Sequence, residues 1–172
     1  MNLLHPPGTF GSLNSINRQR WLYWNVPAYF AALWIRYGQA YVANGSGMVW
    51  EEMTWPMDLE LRNVDFGANL ARATCFLMGI DGKQFPQAIH NLTNLKRGAE
   101  EASTDFGDRK ANKLILVVLC FDADPYLKSA LIELGADYVI DRIESVPSIT
   151  NMIAKNGRSF LSPAHPFLPQ TL

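Results

Sequence analysis

Apolar residues in this chain fall into five short continuous runs, separated by stretches in which they recur every third or fourth position. The runs are Gln19–Trp24, Met48–Glu52, Thr74–Met78, Leu114–Cys120 and Tyr138–Ile140. Runs this short, bounded by turn residues, predict strands, and an unbroken one such as Leu114–Cys120 predicts a strand buried on both faces. Between them, Tyr29, Leu33, Tyr37 and Ala40 predict a helix over Ala28–Tyr41. Phe85, Ile89, Leu92 and Leu95 predict another from about Pro86 to Ala102. Leu127, Ala130, Leu131 and Leu134 form the inner face of a third, with Asp124 as N-cap, Pro125 at its first position and Gly135 closing it. Pro147 opens a last helix carrying Ile149, Met152 and Ile153 and ending near Asn156-Gly157.

The punctuation between these segments is uneven. Asn25 is a candidate cap for the first helix, with Pro27 in its first turn. Residues 1–18 are rich in Gly, Pro, Ser and Asn and read as an arm; Asn44-Gly45-Ser46-Gly47 reads as a turn. Trp55-Pro56 breaks the segment from Met53 to Ala71, where Gly67–Arg72 is a candidate short helix. Gly79–Lys83 and Ser103–Asn112 read as loops. Five strands alternating with five helices imply an α/β domain with a doubly wound parallel sheet. The expected division is an N-terminal arm (1–18), one domain (19–155) and a C-terminal linker or tail (156–172).

Composition narrows the function classes. The 172 residues are 48% hydrophobic and 18% charged, an ordinary globular balance, and enough chain for one real core. With 15 Lys+Arg against 16 Asp+Glu the formal net charge is −1, which gives no global pull toward nucleic acid. Cys75 and Cys120 lie in apolar runs and read as buried free thiols; His5, His90 and His165 are scattered and pair with no cysteine, so no metal site and no cofactor is expected. The stretch Trp21–Trp34 is too short to span a bilayer and contains Asn25 and Pro27. Met1–Thr9 lacks the basic and apolar regions of a signal peptide. The expectation is a cytoplasmic protein with no membrane contact.

The segment Leu116–Lys155 resembles the last third of the receiver domain of bacterial response regulators. Val117-Val118-Leu119-Cys120 resembles its fourth strand, with Cys120 at the hydroxyl position. Gly135-Ala136-Asp137-Tyr138 is similar to the Gly-Ala motif before its fifth strand, and Arg142 stands at the lysine position. Upstream, Arg20-Trp21-Leu22-Tyr23-Trp24-Asn25-Val26-Pro27 resembles the first strand and acidic loop of the NarL/LuxR-type subfamily, keeping its proline but placing Trp24 and Asn25 at the acidic positions. Cys75-Phe76-Leu77-Met78-Gly79 looks like the third strand, with Gly79 where the phosphorylated aspartate belongs. Gly157–Pro163 is similar to the linker that follows. The resemblance implies a flavodoxin-like (βα)5 fold with strand order 2-1-3-4-5.

It also implies a degenerate site. Phosphoryl transfer to an aspartate needs the carboxylate nucleophile, acids holding a divalent metal, and a hydroxyl and cation for the phosphoryl oxygens. Trp24, Asn25, Gly79 and Cys120 supply none of these, and Arg142 keeps only a charge of different geometry. A pseudo-receiver of this kind is not an enzyme; it is expected to act without phosphorylation as a docking or dimerisation module in signal transduction or transcription regulation. DNA would be reached only through a helix-turn-helix domain that these 172 residues do not contain. Candidate surface residues are Tyr29, Trp34, Tyr37, Tyr126 and Tyr138, aromatics being common interface anchors. Two alternatives stay open: a conventional phospho-acceptor using Asp81, and a nucleotide-binding oxidoreductase fragment, since Gly135–Ile140 also resembles a segment of zinc-type alcohol dehydrogenase cofactor domains. Asp122 reads as a solvated loop residue, and Arg109, Lys110 and Lys113 as part of a solvated loop.

Overall fold

The computed structural model describes residues 15–42, 47–52, 70, 72–105, 114–157 and 160–163. In chain order these form β1 (Ser15–Trp24), α1 (Ala28–Tyr41), β2 (Gly47–Glu52), β3 (Cys75–Gly79), α2 (Phe85–Asp105), β4 (Ile115–Leu119), α3 (Pro125–Glu133), β5 (Tyr138–Ile140), α4 (Val146–Asn156) and β6 (Phe160–Pro163). Single 3-10 turns, Gly82–Gln84 and Ile143–Ser145, lead into α2 and α4. The sheet runs β2-β1-β3-β4-β5, with every neighbouring pair parallel, and β6 joins β1 antiparallel. The expected helix at Gly67–Arg72 and the loops at Asn44–Ser46 and 106–113 lie outside the described residues, apart from Leu70 and Arg72.

A parallel sheet with helices on both faces must bury both faces, and alternation along the strands does so here. Leu22, Phe76, Met78, Leu116, Val118 and Cys120 face one core, closed by Leu92 and Leu95 of α2 and Leu127 and Leu131 of α3. Trp21, Cys75, Leu77, Val117, Leu119 and Ile140 face the other, closed by Phe30 and Trp34 of α1 and Val146, Ile149 and Ile153 of α4. Both cysteines are buried and reduced, and burial pushes the Cys75 thiol well above its ordinary range. The buried Gln19 amide is paired at both ends: Trp21 Nε1 donates to Gln19 Oε1 (2.8 Å), and Gln19 Nε2 donates to the carbonyl of Ala154 (2.9 Å), linking β1 to α4.

Four local expectations change. β1 begins at Ser15, so residues 15–18 are strand rather than arm, because β6 supplies their backbone partners. β6 itself lies in the stretch expected to be linker. α2 continues to Asp105, past the expected start of the loop at Ser103. Asn25 does not cap α1: the cap is Pro27, whose carbonyl accepts from the amides of Phe30 and Ala31, both at 2.9 Å. The caps of α3 hold: Asp124 accepts from the Leu127 amide at 2.8 Å, and Gly135 takes the positive φ of 122° that closes the helix.

Trp21 lies between two other indoles, Trp34 at 5.4 Å and Trp50 at 5.3 Å between ring centroids, and α1 closes over Trp21 and Trp50 at Gly38. A Cβ on Gly38 would stand 2.5 Å from the Trp50 ring and 2.9 Å from that of Trp21, whereas one on Gly98 of α2 would meet nothing. Helix propensity favours alanine over glycine by about 1 kcal/mol at either position. Chemical denaturation is therefore expected to show Gly98→Ala stabilising by up to about 1 kcal/mol and Gly38→Ala destabilising, because overpacking outweighs propensity.

Candidate functional site

In a parallel α/β sheet the strands all end at one edge, and the loops that follow them form the site. Here Trp24, Asn25, Gly79, Cys120 and Arg142 stand at or just past the ends of β1, β3, β4 and β5. Trp24 is half-buried against the α2–α3 side of the core. Asn25 adopts the left-handed conformation, φ 56°, and is the one non-glycine residue among those described to do so. That turn swings its backbone over the end of β3, and its Nδ2 donates to the Gly79 carbonyl at 2.9 Å. The close approach depends on glycine: a Cβ built on Gly79 would overlap the Asn25 carbonyl oxygen and lie 3.0 Å from its carbon. Backbone thus fills the space into which a side chain at position 79 would rise.

The remaining residues do not converge on that point. Cys120 is buried in the α2–α3 core, and its amide donates to the carbonyl of Ile140 at 2.9 Å. Arg142 is turned to solvent, with 69% of its side chain exposed and Nε 3.8 Å from Asp141 Oδ1. Asp141 takes its stronger contact from Lys128 Nζ at 3.2 Å. That hydrogen bond lowers the Asp141 carboxyl below its ordinary 3.8. Asp81 is exposed, and its Oδ1 accepts from the Lys83 amide at 2.9 Å, fixing the turn into α2. Asp122 is exposed and Asp124 is spent on its cap. Among the described residues no group of three or more His, Cys, Asp or Glu is placed to hold a metal ion. No helix among them is long and apolar enough to cross a membrane.

The aromatic residues redistribute. Trp34 is wholly buried, so it belongs to the core and not to the surface set expected for it. Tyr37 is half-buried and stacks on Tyr41 at 6.5 Å; Tyr138 is half-buried with its hydroxyl 3.9 Å from Met152 Sδ. Tyr29 and Tyr126 are exposed, at 60% and 86%. Three residues that sequence reasoning missed join them: Phe85, Phe121 and Ile143, all exposed. All five lie in loops after strands or in the first turn of the following helix, which places them around the same edge as Asn25 and Gly79. Phe121 meets buried Phe30 edge to face at 5.8 Å, anchoring this rim to α1. The usable signal was position: a large apolar residue just past a strand end in such a fold has no helix or sheet to cover it.

No family model matches the chain, and no curated protein does. Solved structures do. A pilus assembly protein of Caulobacter crescentus, CpaE, is 14% identical, with a TM-score of 0.54 over 84% of this chain and 98% of its own. A CheY-like protein of Pseudomonas aeruginosa, TadZ, is 11% identical, with a TM-score of 0.52 over 79% of this chain and 93% of its own. At these identities the likeness is one of fold: the chain has the CheY-like, flavodoxin-like α/β architecture.

Two outcomes follow from the geometry. Gly79→Ala must push Asn25 aside and is expected to lower the melting temperature, with amide shifts concentrated at Trp24–Val26 and Gly79–Ile80. The lowered Asp141 carboxyl contributes stability above its unfolded value near 3.8 and loses it as pH falls through the folded value. Denaturation across acid pH is expected to show Lys128→Met destabilising at pH 7, with its difference from the unmodified protein shrinking steadily as pH is taken below 3.8.

Proposed function

We propose that this chain is a receiver-like domain that works without phosphorylation, as a regulatory protein-interaction or dimerisation module in signal transduction. The observation that carries the reading is the overlap at Gly79. No nucleophile stands there, and the Asn25 backbone leaves no room for one. Trp24 and Asn25 offer no carboxylate for a dication, and Cys120 offers no exposed hydroxyl. The NarL/LuxR-type affinity and a role in transcription regulation belong to this proposal as well. The rim of Tyr29, Phe85, Phe121, Tyr126 and Ile143 supplies what an interaction module needs: apolar side chains held in water around one edge.

Asp81 as acceptor is the competing reading, favoured by its exposure two residues beyond Gly79. Its carboxylate already holds the Lys83 amide, and among the described residues it belongs to no group of three or more His, Cys, Asp or Glu placed for a metal. Addition of beryllofluoride or acetyl phosphate with Mg²⁺ to the labelled protein is expected to leave the amides of Ile80–Lys83 unmoved; saturable shifts there would establish Asp81 instead. Sedimentation of Phe121→Asp with Tyr126→Asp against the unmodified chain tests the other half. Self-association or binding to a defined partner should weaken about tenfold or more while circular dichroism stays the same.

A further inference from the structure

β1 has ten residues and β3 five, so β1 outruns its neighbour at the start. Trp21–Trp24 pair with Cys75–Met78, and Ser15–Arg18 pair with Phe160–Pro163. Arg18 is matched to Gly47 of β2 and to Phe160 of β6 at once, so β6 occupies the β3 side of β1. Beyond that residue, Ser15, Ile16 and Asn17 have β6 as their sole strand partner among the described residues. These residues form a two-stranded ribbon past the end of the sheet, and such a ribbon alone is marginal in water.

The body behind it is fixed. α4 closes with the Gly157 amide donating to Ile153 at 2.7 Å. A Cβ on Gly157 would overlap Thr74 Cγ2 and stand 2.6 Å from the Ile153 carbonyl oxygen, so the helix end lies flush on Thr74 because it ends in glycine. Thr74 is itself stitched into the sheet: its amide donates to Arg20, its Oγ1 accepts from the Arg20 amide, and its carbonyl accepts from Ile115. Two residues separate this anchor from β6.

We propose that Ser15–Asn17 and Leu161–Pro163 form a latch that opens and closes as one unit, with Arg18 and Phe160 as its joint and Gly157 as its anchor. Opening bares the backbone edge of β1 without disturbing the five parallel strands, so it is a local event of lower cost than unfolding. The proposal does not depend on the function argued above.

Residue-resolved amide exchange on the full chain tests it. By alternation from Arg20, whose backbone faces Thr74, Ile16 and its partner Ser162 exchange both backbone hydrogen bonds, and their amides are expected to exchange at a common rate, about a hundredfold or more faster than Leu22, Leu77 and Val118. Ser162→Pro, which removes the amide facing Ile16, should speed Ile16 by about tenfold and leave Leu77 unchanged. The pair Asn17→Cys and Leu161→Cys, which face each other in register, should form a disulfide on oxidation and slow Ile16 by about the same factor. Exchange at Ile16 that ignores both variants would overturn the latch. So would core amides that change in step with it.

Discussion

Everything in this fold is arranged around one strand that is hydrogen-bonded on both sides and buried on both faces. β1 takes β2 along one edge and β3, then β6, along the other. With both edges committed, neighbouring side chains must face opposite cores, and the sequence supplies a large apolar residue for each: Trp21 toward α1 and α4, Leu22 toward α2 and α3. Burying side chains of this size yields about 1.5–3 kcal/mol each, enough that a one-residue slip in register would exchange the two sets and be rejected. Gln19, a buried polar residue in this strand, is paired at both ends of its amide.

The same strand decides what the carboxyl edge can do. Leaving β1, the chain bends at Asn25 into the left-handed region, and this one backbone turn places a carbonyl oxygen over the end of β3. Position 79 is then closed by main chain, and the side chains expected to share a pocket separate: Cys120 into the core, Arg142 into water, and the alternative acceptor Asp81 into local capping. Around this edge stand the exposed apolar side chains on which the proposed interaction role rests.

Much of the architecture was legible because its causes are local. Strands buried on both faces must be apolar throughout, so Cys75–Met78 and Leu116–Leu119 announce themselves, and Asp124-Pro125 with Gly135 brackets α3 by capping chemistry alone. β6 was hidden because a strand at this position needs only its backbone, and Phe160-Leu161-Ser162-Pro163 carries no period. The end of α2 was hidden because Ser103–Asp105 is polar and resembles a loop. At the site, the identities of the residues do not give the sealing of position 79. That depends on the φ of Asn25, which no side-chain pattern encodes. Trp34 misled because an aromatic on a broad apolar helix face reads the same whether it points in or out.

The three indoles at the β1–β2–α1 corner have an optical consequence. With ring centroids 5.3 and 5.4 Å apart and the planes tilted or nearly perpendicular, Trp21, Trp34 and Trp50 absorb as one coupled chromophore rather than as three. Their exciton bands overlie the far-ultraviolet signal of the helices, so helix content taken from circular dichroism alone would be distorted. Their shared emission would report on the join between α1 and the sheet while staying nearly blind to events around Phe121 and Tyr126.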